Sequence, residues 1–501
     1  MRSSGNDRIS PLFWSALWVI AVAIRLWGVW YFPTAEQDGY SDAETIARFS
    51  ADIVAGTFSF SHLYGFWLPL FQLAAAIPNI WLHNPLLAGE VVSGVCGAIA
   101  CVLTFAVSLR LAHSISLACI AYVLVLLSPI HLLYSSACMT DVPFGCLLLA
   151  SLLFVLRNQW TAAMIVAAVA GGVRVEAWTL IPLLPLLQFI KEKRISVIGV
   201  MVLVAPPLLW LVVSHSARGD WFAFFKDRVV YHEHYMDFYP SRRGFALADV
   251  RNDVDLLMFG ANRIVFVAGL IAGLFLLFKA GWRRKDFWEA FVTVSYFAVV
   301  LAFLILGYVT KRQPVWLPRY GLFALVLGAP LLAWLSRLLL DSSRPRWIGM
   351  TGVLIAVFLC ASEARSQFSI VPKVLADFRA HATIAQTLKQ SMEQTNEPGI
   401  RCFSDDVSVR VLSGLPTERI VQSHDAPPQA WVDAATFDAF LQQRNVRYMV
   451  YMAVEDSLSA KWLPTSKNSN TINADRFEQI VAEKSDFGPD VALFRMTQPS
   501  P

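Results

Sequence analysis

Residues 33–70 read PTAEQDGYSDAETIARFSADIVAGTFSFSHLYGFWLPL and follow directly on an apolar run at 11–32. They carry Glu36, Asp38, Asp42, Glu44 and Asp52, while most of the chain beyond them is apolar. This is therefore an acidic loop held against a bilayer surface, and it needs a purpose. Within it, Ser41-Asp-Ala-Glu44 has the spacing of a capping box, which predicts a helix starting there and running to about Gly56. Glu44 then serves as a cap. Asp42 falls in the first turn, where the helix dipole favours a carboxylate whatever its function. With Asp38 four residues before it, it could equally present a general base beside a cation or basic ligand. Asp52 reads as a surface position further along the same helix.

The composition fixes the environment of that loop. The 501 residues are 56% hydrophobic and only 16% charged, against about a quarter charged in an average soluble chain. Seventeen Trp and thirty-four Phe suit lipid-facing and interfacial positions. The net charge of +4 is spread over short loops, so no basic face for nucleic acid is present. Six of the seven Cys lie in or beside apolar runs and none forms a CxxC, which leaves redox chemistry and structural zinc unsupported.

Apolar segments recur at 86–110, 115–135, 142–157, 160–173, 177–190, 195–214, 262–279, 288–308, 320–340 and 347–364. With the first, retained helix they predict about eleven spans, those between 142 and 190 being short. A cytoplasmic N-terminus puts Arg110, Arg157, Lys191, Lys193, Arg194, the basic cluster at 279–285, Arg344 and Arg346 on the inner side, as the positive-inside rule requires. Residues 33–70, 136–141, 215–261 and 310–319 then lie outside, with the acidic residues. Residues 67–82 hold two prolines and are short, so they read as an interfacial helix rather than a span. Gly269-x-x-x-Gly273 is a site for close helix packing. From about Phe368 the composition turns polar, with helical stretches at 376–393 and 434–443 and β-like runs at 419–422, 446–453 and 491–495. The expected architecture is an all-α polytopic membrane domain, 1–365, whose first outer loop spans 33–82, followed by a small extracytoplasmic α/β domain, 366–501.

Several further residues could carry chemistry. Arg25 lies within the first span, where a charge is a functional candidate unless it snorkels to the headgroups. Asp141 follows Thr140 and precedes Pro143 at the start of a span, a position that capping alone explains. Arg174 and Glu176 interrupt an apolar stretch and either pair with each other or face a site. Lys311, Arg312, Arg319 and Tyr320 form a basic, proline-punctuated outer loop; lipid headgroups or an anionic ligand gripped by the arginine fork would justify it. His232 and His234, with Glu233 and Asp237 nearby, make a weak divalent-metal candidate lacking a third ligand at fixed spacing. No other cofactor is implied.

Taken in order, the acidic first loop, the segment HLYGFWLPL from His62 to Leu70, Thr140-Asp141-Val-Pro, Arg174-Val-Glu176 and Pro318-Arg319-Tyr320 resemble GT-C-fold glycosyltransferases. The likeness is to the branch of protein O-mannosyltransferases and lipid A aminoarabinose transferases, and covers roughly residues 10–365. It implies a sugar donor on a polyprenyl phosphate, an acceptor hydroxyl on a protein, lipid or glycan, and an acidic catalytic base in the first outer loop. That base matches Asp42 best, counting back from Gly56. The chain has Ser41-Asp42 where the family has an adjacent Asp-Glu pair, so Asp38 stays a rival. Basic residues at the donor phosphate carry over to Arg319 and Arg25. A transporter or flippase of a lipid-linked glycan would place charges midway along several spans and repeat its halves, neither of which is seen. A non-catalytic scaffold leaves the outer acids and bases unexplained. The chain has no N-x-[ST] sequon, which favours a bacterial inner membrane over an ER lumen.

Overall fold

The computed structural model describes residues 9–32, 34, 37–65, 68–227, 229, 247–278, 285–309, 318–342, 345–395, 399–431, 433–452, 477–483 and 491–496. They divide into two compact units: residues 1–32 with 46–368, and residues 33–45 with 369–501.

Among the described residues the first unit has only helices as regular elements: α1 (Pro11–Tyr31), α2 (Gln37–Ala55, whose first turns belong to the second unit), α3 (Leu70–Leu82), α4 (Pro85–Ala112), α5 (Ile115–Leu126), α6 (Pro129–Ser135), α7 (Asp141–Leu156), α8 (Trp160–Val173), α9 (Leu180–Glu192), α10 (Val197–Arg218), α11 (Leu247–Gly260), α12 (Arg263–Phe278), α13 (Lys285–Val309), α14 (Leu322–Ser342) and α15 (Arg346–Gln367). Each apolar segment expected from the sequence is helical, although 115–135 divides into α5 and α6. Their number as spans differs, however. Among the described residues six helices are long and apolar enough to cross a bilayer, or eight when two bent pairs are each taken as one span. Segments 142–157, 160–173 and 177–190 form helices of 16, 14 and 13 residues, short of the roughly 17 a crossing needs.

The breaks have local causes. Pro129 cannot continue the α5 hydrogen-bond ladder, and Ser128 caps the new helix by accepting from the His131 amide, so α5 and α6 meet at 60°. Asn262, in the left-handed region at φ 62°, turns α11 into α12 through 99°, and its side-chain amide donates to the Cys360 carbonyl at 3.0 Å. Helix α3, at 13 residues with Pro78 inside it, is too short to span, as its composition suggested. Gly269 lies against the Phe297 ring, where a Cβ would come within 2.8 Å of a ring carbon, so the expected close packing is that of α12 on α13.

The second unit builds a five-stranded sheet in the order β2-β1-β3-β5-β4, from β1 (Arg401–Phe403), β2 (Ile420–Val421), β3 (Val446–Met452), β4 (Phe477–Glu483) and β5 (Val491–Met496). The β1–β2 and β1–β3 pairs are parallel, the β3–β5 and β4–β5 pairs antiparallel. Successive β3 side chains face opposite ways: Met449 joins Phe403, Phe437 and Phe440, whereas Tyr448 and Val450 join Ile384, Leu388 and Met392. The sheet is thus covered by helix α16 (Ile370–Thr395) on one face and α18 (Ala434–Gln443) on the other; α17 (Val407–Ser413) follows β1.

Candidate active site

Helix α2 begins at Gln37, a turn before Ser41, so Ser41 and Glu44 are interior residues and no capping box forms. The Ser41 carbonyl accepts from Thr45 Oγ1, and Glu44 pairs with Arg410 instead. The C-terminal end fits the sequence: Gly56 sits at φ 69°, where only glycine is unstrained, just past Ala55. Asp42 is buried, 4% exposed, in the second turn. Asp38 lies on the same helix, its side chain outside the described residues. Asp52 is not an open surface residue. Its Oδ2 lies 2.9 Å from His62 Nδ1 and its Oδ1 accepts from Thr57 Oγ1, which ties the helix end to the segment that closes the loop.

A buried polar cluster forms around Arg174, the residue that ends α8. Its Nη1 donates to Asp141 Oδ1 at 2.8 Å and to Thr140 Oγ1 at 3.3 Å. Its Nη2 and Nε donate to the two carboxylate oxygens of Glu176 at 2.7 and 3.2 Å, a parallel fork. The guanidinium also lies over two rings, Phe144 at 6.0 Å and Tyr320 at 5.5 Å. Burial works against its charge, but Asp141 and Glu176 outweigh that and hold Arg174 protonated well beyond the usual range. Asp141 is therefore not merely a favoured first-turn acid: Thr140 makes no side-chain cap, and one Asp141 oxygen is committed to Arg174. The other, Oδ2, is buried with no hydrogen-bond partner among the described residues. One guanidinium against two carboxylates leaves the cluster a net negative charge, so Arg174 is not suited to a phosphate.

Arg319 is buried beside Tyr320, its guanidinium 5.4 Å from that ring. Both are set by a direct backbone contact. A Cβ on Gly260 would lie 1.7 Å from the Pro318 carbonyl oxygen, and one on Gly321 would lie 2.3 Å from that of Leu257. Only glycine at both places lets the end of α11 meet the turn Pro318–Gly321. Gly260→Ala is expected to destabilise the fold by about 1–3 kcal/mol through overpacking and to displace Arg319 and Tyr320. Thermal denaturation in detergent checks this, and an unchanged midpoint would contradict the contact.

Arg25 does not snorkel. It is 1% exposed, and its Nη2 reaches His131 Nδ1 at 2.8 Å, Cys101 Sγ at 3.2 Å and the Val125 carbonyl at 3.2 Å. Nε and Nη1 have no hydrogen-bond partner among the described residues. A buried cation without a carboxylate costs desolvation that its neutral partners only partly return, so Arg25→Met, similar in length and apolar, is expected to leave stability unchanged or to raise it by about 1–4 kcal/mol. Thermal unfolding of the purified variant measures it; collapse of the fold would mean that the three contacts outweigh desolvation. Lys311, Arg312, His232 and His234 lie outside the described residues. Among the described residues no group of three or more His, Cys, Asp or Glu is placed to hold a metal ion.

Compared with solved structures, the chain is similar over nearly its whole length to ArnT from Cupriavidus metallidurans bound to undecaprenyl phosphate. The TM-score is 0.57 at 13% identity, covering 97% of this chain and 98% of that one. The chain has the GT-C fold. The apo form of the same ArnT matches at TM-score 0.55 with 12% identity, covering 96% of this chain and 97% of that one. An Archaeoglobus fulgidus oligosaccharyltransferase in the apo form matches at 0.53 with 11% identity, covering 89% of this chain and 70% of that one. No family model and no curated sequence matches. In this GT-C chain the sequence signalled Asp141, the Arg174–Glu176 segment and Tyr320 separately, and the fold brings them together. Phe144, one turn after Asp141, and His131, the partner of Arg25, went unread. Each lay in an apolar run with nothing local to mark it.

Proposed function

We propose that the protein is an integral-membrane glycosyltransferase that moves a sugar from a polyprenyl-phosphate donor to an acceptor hydroxyl on the extracytoplasmic side. The reading rests on one observation above others: Asp42 is a buried carboxylate on the first-loop helix of a chain whose GT-C likeness runs from end to end. Asp42 takes the proton of the acceptor hydroxyl as its oxygen attacks the anomeric carbon. The bond from that carbon to the lipid phosphate oxygen breaks, and the phosphate leaves with the electron pair. One displacement inverts the sugar. Arg319, supported by Lys311 and Arg312 of the same basic loop, stabilises the departing phosphate. The Arg174 cluster holds the Tyr320 ring and offers Asp141 Oδ2 as an acceptor to a sugar hydroxyl or amine. The donor's apolar tail stays in the bilayer while its head enters the loop, which is why such a site belongs at the membrane surface. The C-terminal domain is extracytoplasmic, and the N-terminus is cytoplasmic. The setting is a bacterial inner membrane.

The test is mass spectrometry of the products after purified protein is incubated with a panel of synthetic undecaprenyl-phosphate sugars and candidate acceptors. Release of undecaprenyl phosphate matched by a glycosylated acceptor is expected for at least one donor. No release from any, with the protein folded, would remove the proposal. Net movement of intact donor across a vesicle without cleavage would favour a transporter.

A further inference from the structure

We propose that the C-terminal unit fixes the position of Asp42 through Arg410, which makes Arg410 a positioning residue for transfer; the proposal rests on the reading of Asp42 as the base. Residues 33–45 belong to the same compact unit as residues 369–501. There, Arg410 Nε donates to Glu44 Oε1 at 2.9 Å and Nη2 to Glu44 Oε2 at 3.1 Å, a two-pronged pair between residues 366 apart in sequence. The third nitrogen, Nη1, donates to the Asp405 carbonyl at 3.0 Å and the Ser404 carbonyl at 3.4 Å. All three nitrogens are occupied, so the planar group cannot swivel.

The mount beneath it is equally fixed. Asp406 caps α17 by accepting from the amides of Ser408 at 2.8 Å and Val409 at 3.2 Å, and its other oxygen lies 3.2 Å from His381 Nε2 on α16. Asp405 accepts from the amide and hydroxyl of Ser423 at 2.7 and 2.5 Å. Arg410 stands one helical turn beyond Asp406, its amide bonded to the Asp406 carbonyl at 3.1 Å.

Glu44 and Asp42 are two residues apart on a helix, hence on nearly opposite faces. Their burial agrees: Glu44 is exposed and Asp42 buried. A grip on the outer face of α2 thus sets the helix's rotation about its axis, and with it the direction of the carboxylate on the inner face. A mere surface tether would need neither the fork nor the braced loop behind it.

Hydrogen exchange of full-length protein in nanodiscs, read over residues 37–45, tests this with Glu44→Gln, Arg410→Ala and the double variant. Each single change is expected to speed exchange there about fivefold, the double no more than either, with β3 unchanged. With a donor that the native protein turns over, kcat should fall about tenfold at constant KM, and Arg410→Lys, which keeps the charge without the fork, should recover part of it. Native exchange at 37–45, or additive effects in the double variant, would overturn the link. Faster exchange with unaltered kcat would overturn the positioning role. If Asp42→Asn retains turnover, the assignment of the base fails instead, and exchange still reports on the ion pair.

Discussion

Replacing Asp42 by Asn is expected to reduce sugar transfer by roughly 10²–10⁴-fold, the usual worth of a positioned general base. The amide has the shape of the carboxylate, so helix α2 should keep its place while the group assigned to take the acceptor proton is lost. Because Asp42 is buried, water is poorly placed to substitute. The loss should appear in kcat with donor KM little changed, since proton removal belongs to the transition state and not to donor binding. Steady-state transfer by the purified variant, with circular dichroism to confirm the fold, measures it. Asp38→Asn serves as the internal comparison. Activity lost at Asp38 and kept at Asp42 would move the base one turn towards the N-terminus.

The second large effect is expected on stability. Arg174→Met leaves Asp141 and Glu176 buried without the guanidinium that joined them. Breaking one side of such a buried pair typically costs about 3–5 kcal/mol, because the remaining charges have lost both partner and water. Thermal unfolding in detergent should fall accordingly, and adding Asp141→Asn to Arg174→Met should restore part of the loss by removing one of the stranded charges. Arg174→Lys is expected to lie between, since a point charge cannot bridge two carboxylates with a fork. A native-like midpoint for Arg174→Met would mean that the cluster is wetter, and matters less, than its hydrogen bonds indicate.

How much of this was legible depended on how far apart the deciding residues lie. The helices could be read because a run of apolar residues needs no distant partner to reveal it, and the end set by Gly56 is likewise local; the break at Pro129 divides the segment 115–135, which reads from its composition as one span. The start of α2 was misplaced for the opposite reason. Ser41 and Glu44 have capping-box spacing, but Glu44 is satisfied by Arg410, 366 residues on, and the helix continues back through it to Gln37. Arg174 and Glu176 pair locally and could be read together. That Asp141 completes the pair, and that Phe144 and Tyr320 cover it, follows only from packing of α7 and the 318–321 turn. In the sheet, β3 and β5 announced themselves by apolar content. Strand β1 has three residues, and β4 reads FEQIVAE at the sheet edge with one buried side chain and the rest exposed or half-exposed in no alternation, so neither carries a readable pattern.

Every part of the proposed chemistry requires the first loop and the late basic turn to face one compartment. Impermeant maleimide labelling in intact cells tests this most directly, using single Thr57→Cys, Gln313→Cys and His113→Cys changes on a background without the native cysteines. Thr57 and His113 are exposed, and Gln313 lies within the basic loop. Labelling at 57 and 313 before permeabilisation, and at 113 only after it, is the expected pattern. Labelling that separates 57 from 313 would contradict the proposed transfer reaction.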